Sequence, residues 1–114
     1  MGSLWVTGDA WKVIAPTSPG PRPYGGGEMC LWSSTDQGKT WALTRQVTRD
    51  SPLNHNYARR PLNARDPFFA FWADGDPARF SESRLYFCDS GGEHVRRSPY
   101  DMEDEFAAPV EIRK

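Results

Sequence analysis

The chain has 114 residues, a net charge of −1 and 38% hydrophobic residues, enough for one small domain and without the cationic excess that nucleic acid or an anionic membrane surface would ask for. No apolar run approaches the roughly 20 residues of a membrane-spanning helix, and Met1-Gly2-Ser3-Leu4 lacks the basic and apolar regions of a signal peptide, so none is visible in this chain. Ten Gly, ten Pro and 13% aromatics predict an all-β chain of short strands joined by many turns.

Taken in chain order, Leu4 to Ala15 reads as a strand pair broken at Gly8-Asp9. Thr17 to Gly27 holds three Pro and four Gly and is a loop. Glu28 to Ser33 is a strand, with Met29 and Leu31 on one face and Cys30 and Trp32 on the other. Next comes Ser34-Thr35-Asp36-Gln37-Gly38-Lys39-Thr40-Trp41, which reads S-x-D-x-G-x-T-W. It is a hairpin turn that closes itself. Asp36 can accept from backbone N–H groups ahead of it, Gly38 supplies a positive φ, and the hydroxyls of Ser34 and Thr40 tie down what remains. Trp41 to Thr48 is the return strand, with Trp41, Leu43 and Val47 expected to point inward. This run resembles the Asp-box, the bacterial neuraminidase repeat of sialidases and other sugar-processing β-propellers. In that family the turn joins the outer two strands of a blade, which makes Ser34, Asp36, Gly38, Thr40 and Trp41 structural residues.

A second unit follows. His55 to Asn63 is a candidate innermost strand interrupted at Pro61, and Phe68 to Trp72 is an apolar run expected to be buried on both faces. Asp74-Gly75-Asp76-Pro77 to Ser83 reads as a turn or loop, so Asp74 and Asp76 are turn residues rather than a paired acid and base. Arg84 to Asp89 is a strand with Leu85 and Phe87 opposite Tyr86 and Cys88. Ser90-Gly91-Gly92 turns the chain in the Asp-box position without its consensus, and Glu93 to Ser98 returns. The expected organisation is therefore a four-stranded antiparallel blade over 1–50, a second over 51–100, and a tail over 101–114 that starts a further strand or frays. Known propellers close with about four to eight blades. Two blades make an incomplete ring, and the expected partners include the remaining blades of a larger parent, of which this chain would be a C-terminal part. A small self-contained β-sandwich, or an oligomer that completes the ring, is the alternative.

The stretches His55 to Arg65, Phe68 to Asp76 and Ser83 to Cys88 are similar to Asp-box propellers of the group that includes ulvan lyases and related polysaccharide lyases. The resemblance implies a secreted or periplasmic parent that acts on, or binds, acidic polysaccharide. Such lyases cleave by β-elimination, which needs a cation at the uronate carboxylate, a base for the C5 proton and an acid at the leaving oxygen. His55 and Tyr57 are the catalytic candidates and Arg59 and Arg60 the substrate-binding ones. On a regular strand His55, Tyr57 and Arg59 share one face, which an innermost strand would turn to the central channel. A non-catalytic glycan-binding propeller is the competing reading. A sialidase is the weaker enzyme reading, because Arg59, Arg60 and Arg65 are too close in sequence to form an arginine triad drawn from separate blades.

No cofactor is predicted. Cys30, Cys88 and His55 have soft-metal chemistry but not the C-x-x-C spacing of a zinc site, so buried thiols are expected and a structural zinc or calcium is left to the parent. Trp5, Trp11, Trp32 and Trp72 are read as core in preference to sugar-stacking platforms.

Overall fold

The computed structural model describes residues 3–23, 25–101 and 105–112. They form two antiparallel sheets and no helix. The first runs in the order of its strands, β1 (Ser3–Thr7), β2 (Ala10–Ser18), β3 (Glu28–Ser34) and β4 (Ala42–Gln46). The second is also a meander, of β5 (Asn54–His55), β6 (Ala70–Gly75), β7 (Leu85–Cys88), β8 (Val95–Arg97) and β9 (Val110–Glu111). Neither sheet closes into a barrel. The all-β architecture and the first four-stranded unit are as the sequence predicts. The second sheet has five strands where four were expected, because the tail supplies β9, whose Glu111 and Val110 pair with Arg96 and Arg97 of β8.

One core lies between the sheets. It takes Trp5, Ile14, Met29 and Leu31 from one face of the first sheet and Phe69, Ala70, Trp72, Tyr86, Cys88 and Val95 from the second. Within the strands these are alternate positions, as a pleated sheet with one buried face requires, and Phe69 joins them from just before β6. The indole of Trp5 stacks on Phe69 at 5.0 Å and donates to its carbonyl at 3.1 Å. Ser3 Oγ donates to the Ala58 carbonyl and Lys12 Nζ to that of Ser90, so polar bonds stitch the same interface. Trp5 and Trp72 are thus core as expected, while Trp11 and Trp32 are half-buried on the opposite face of the first sheet.

Several local expectations need correction. Trp41 lies outside β4 and, like Leu43, is exposed, and only Val47 of the three is buried. The ladder between β3 and β4 shifts by one residue at Leu31/Trp32, and the Trp41 indole instead folds over the turn to donate to the Gly38 carbonyl at 3.0 Å. Phe68 is exposed and precedes β6, which alternates buried and half-buried positions and is not buried on both faces. Asp74 and Gly75 finish that strand and are not part of the turn. Cys30 and Cys88 face different surroundings. Cys88 joins the core between the sheets, whereas Cys30 sits beside Gln46 at the start of β3 with its side chain on the outer face.

The meander sorts the connections into two ends. In the first sheet the β1–β2 and β3–β4 turns lie at one end, called the Asp-box end below after the motif that the β3–β4 turn resembles. The β2–β3, β4–β5 and β6–β7 connections lie at the other, called the loop end below.

Candidate functional site

The turn over 34–41, which resembles an Asp-box, forms as its residue types dictate. Asp36 Oδ1 accepts from the Thr40 N–H at 2.9 Å and from Ser34 Oγ at 2.8 Å, and Oδ2 accepts from Thr40 Oγ1. Ser34 Oγ in turn accepts from the Gly38 N–H at 2.9 Å. Gln37 and Gly38 both have positive φ, 60° and 86°. The bonds from the Thr40 hydroxyl, the Thr40 amide and Ser34 hold the Asp36 carboxyl down at about 2. Every acceptor of this carboxylate that the turn engages is spent on the turn, which leaves Asp36 with a structural task.

At the opposite, loop end lies a cleft of about 680 Å³. One wall is the β2–β3 loop at Pro19, Gly20 and Pro21, the other is β4 and the β4–β5 connection, presenting Leu43, Arg45, Gln46, Arg49 and Asp50. Glu28 and Ser51 also line it. The loop wall is fixed from beneath. Asn54 accepts from the Arg22 N–H at 3.0 Å and donates to the Arg22 and Gly25 carbonyls, while Gly27 and His55 exchange two backbone bonds of 3.0 and 2.8 Å. Arg22 Nε stands 3.5 Å from Asp76, joining this loop to the β6–β7 connection.

The floor is a buried polar network. Glu28 Oε1 accepts from Thr48 Oγ1 and Ser51 Oγ, both at 2.7 Å, and Oε2 accepts from the Ser51 N–H at 2.9 Å. Burial pushes the Glu28 carboxyl up, but the bonds from Ser51 and Thr48 together outweigh it and the net shift is downward. Ser51 Oγ lies 2.9 Å from His55 Nε2, and the Trp72 indole donates to His55 Nδ1 at 2.8 Å. An indole N–H can only donate, so Nδ1 is an acceptor and the ring proton sits on Nε2, pointing at Ser51. His55 is 1% exposed, and burial lowers its pKa against the opposing pull of Asp74 and Glu28. The 4.0 Å approach of Nε2 to Glu28 therefore joins a neutral imidazole to a carboxylate and is not an ion pair. Beside it, Asp74 accepts from the Tyr86 hydroxyl at 2.8 Å and the Arg84 N–H at 2.8 Å, and burial with that bond pushes the Tyr86 phenol up to about 12.

Ser51, His55 and Glu28 contain the residue types of a nucleophilic triad in the wrong order. An activated serine faces a bare imidazole nitrogen, with the carboxylate on the far ring nitrogen. Here the nitrogen facing Ser51 carries the proton, the far one is taken by Trp72, and the serine hydroxyl gives its own proton to Glu28. The network fixes the cleft floor, and neither ring nitrogen of His55 is left bare to take a proton from Ser51.

His55 is thus sealed inside rather than turned to a channel. Its expected companions are elsewhere. His55 pairs with Asp74, but Arg59 pairs with Phe71, one residue out of step. That extra residue flips the face, so Ala58 is buried where Tyr57 would have been, and Tyr57 and Arg59 are exposed on the outer side of the second sheet. Arg59 bonds the Tyr57 hydroxyl and lies over its ring at 4.7 Å. Arg60 is further away, towards the Asp-box end, with Nη1 3.5 Å from the Leu4 carbonyl. His55, Tyr57, Arg59 and Arg60 therefore do not converge on one site.

Arg45, Arg49, Ser51 and Glu28 were not singled out from the sequence. One signal was there: Glu28 heads the otherwise apolar strand Glu28–Ser34, and a carboxylate at such a position needs buried partners. Arg45 reaches Glu93 at 3.5 Å with both side chains about half exposed, a pair worth little in water. Arg49 is exposed and has no ion-pair partner among the described residues. Among those residues no group of three or more His, Cys, Asp or Glu side chains is placed to hold a metal ion, and Cys30 and Cys88 are buried and not disulfide-bonded. Comparison of the chain with protein-family models, with curated proteins and with solved structures returns no match.

Proposed function

We propose that the chain is a pair of blades from an Asp-box propeller and that it binds acidic, uronate-containing polysaccharide at the loop-end cleft. The observation that carries this reading is the cleft itself: a rigid floor fixed by Glu28, Ser51 and His55, beneath Arg49 and the loosely held Arg45. Arginine offers a planar fork to a carboxylate, and the prolines and Leu43 give apolar surface for a sugar ring. The incomplete ring is supported by the outer faces of both sheets. Leu4, Val6 and Leu43 on one and Phe68 and Leu85 on the other are exposed apolar side chains, the surfaces on which further blades would pack.

In a polysaccharide lyase parent, secreted or periplasmic, these arginines would neutralise the uronate carboxylate while the base and the acid came from elsewhere in the ring. The non-catalytic binder is the second reading, and the sequestered, neutral His55 favours it for this chain taken alone. Titration calorimetry with uronate oligosaccharides tests the site. Arg45→Ala combined with Arg49→Ala is expected to weaken binding about tenfold, the loss of one to two charge-assisted bonds. Undiminished affinity in that variant would remove the cleft from the proposal. Absorbance of unsaturated uronate products, followed with the full-length parent, separates lyase from binder.

A further inference from the structure

A second groove lies at the Asp-box end, beneath the β5–β6 segment. It consists of two adjoining hollows, of about 500 and about 420 Å³, that share Thr7, Ala64, Arg65 and Phe69. Arg60 lines one of them and Lys12 the other. Among the described residues Asp66 is the one carboxylate on the lining, and both of its oxygens are engaged by Ser90, through the backbone N–H at 2.7 Å and the hydroxyl at 3.0 Å. None of Lys12, Arg60 and Arg65 has an ion-pair partner among the described residues. Lys12 is held by a carbonyl, that of Ser90 at 2.9 Å, and stands 5.8 Å from the centre of the Phe69 ring.

Three cations thus line a groove whose one carboxylate among the described residues is engaged by Ser90, with the stacked Trp5 and Phe69 rings at one of its hollows. In a chain of net charge −1 this is a local excess of positive charge. We infer that this groove is a separate anion-binding site, which takes the sulfate or carboxylate groups of an acidic saccharide with Arg60, Arg65 and Lys12 as the contacting side chains. The inference stands apart from the loop-end cleft and does not need it to be occupied. A guanidinium pair set along a groove suits anionic groups repeated along a chain, and the aromatic floor excludes water from one side of the contact, which strengthens it.

The Trp5 indole N–H, bonded to the Phe69 carbonyl, reports on this groove alone. Its NMR signal is followed during titration with a sulfated oligosaccharide, an unsulfated uronate oligosaccharide and inorganic sulfate in separate arms. A saturable shift with either saccharide, weakened about tenfold or more by Arg60→Ala combined with Arg65→Ala, is the expected result. The Arg45→Ala/Arg49→Ala variant should leave that shift unchanged. Whichever saccharide arm responds identifies the anionic group that is bound. Absence of a shift, a response to inorganic sulfate alone, or an Arg60/Arg65 variant that binds as the parent chain does would each overturn the inference. Uronate binding lost only in the Arg45/Arg49 variant would do so too, while leaving the loop-end reading in place.

Discussion

Two polar networks in this molecule are built from the same kinds of side chain in opposite surroundings. The Asp-box turn bonds residues two to four apart at the surface. The floor of the loop-end cleft joins Glu28 to residues twenty and twenty-three further on, and His55 to a tryptophan seventeen further on, in the interior. Water can replace the exposed bonds between Asp36 and Thr40 in the first. In the second a broken bond leaves a buried group with nothing, at a cost of about 1–3 kcal/mol each. The networks should therefore respond very differently to deletion.

The largest effect is expected at His55. His55→Ala removes a buried ring and strands both the Trp72 indole and one bond of Ser51, and should destabilise by about 2–5 kcal/mol in urea unfolding. Trp72→Phe removes the donor to Nδ1 together with part of a fully buried ring system, and should cost about 1–3 kcal/mol. The double variant tests whether the two act together: a coupling below about 0.5 kcal/mol would mean that the indole and imidazole do not depend on each other.

Acid should dissolve the two networks in sequence. His55 has a lowered pKa in the folded chain, so the unfolded chain binds its proton first. Stability is complete above the ordinary histidine value of 6.5 and declines as pH falls below it. Glu28 and Asp36 are lowered carboxylates, and their contributions persist to lower pH. That of Glu28 is lost as pH falls below 4.5, and that of Asp36 between 3.8 and about 2. Denaturant midpoints recorded from pH 8 to 3 should show the histidine step in the parent chain and lack it in His55→Leu. A flat profile between pH 7 and 5 in the parent would contradict the buried neutral imidazole.

The contrast also explains what could be read in the amino-acid sequence. The self-closing turn over 34–41 was legible because every one of its bonds lies within an eight-residue window. The strands of the first sheet were legible from alternation, Met29 and Leu31 against Trp32. The face of Tyr57 and Arg59 was not, since a one-residue slip between His55 and Arg59 depends on how β6 pairs across a long connection. For the same reason Ser51 gave no sign of its role. Its partners are fixed by the packing of the β4–β5 connection under the β2–β3 loop, and nothing in Asp50-Ser51-Pro52 encodes that.

The turn between β7 and β8 gives the smallest and sharpest test. It lacks the Ser, Thr and Trp of the Asp-box, yet Asp89 Oδ1 accepts from the Glu93 N–H at 2.9 Å, four residues on, just as Asp36 accepts from that of Thr40. The glycine requirement has moved. Gly38 sits two residues after Asp36 with φ 86°, and an added Cβ would lie 2.9 Å from the Trp11 ring. Gly91 holds the corresponding place after Asp89, has no positive φ, and a Cβ there would make ordinary contacts of 3.7 Å or more with Glu93. It is Gly92, with φ 66° and a Cβ position 2.9 Å from Val47, that needs to be glycine. Gly38→Ala and Gly92→Ala should each cost about 1–2 kcal/mol from backbone strain, with crowding added. Gly91→Ala should change the unfolding free energy by less than about 0.5 kcal/mol. If Gly91→Ala proved as damaging as Gly38→Ala, the second turn would be following the Asp-box pattern in its backbone as well as in its aspartate.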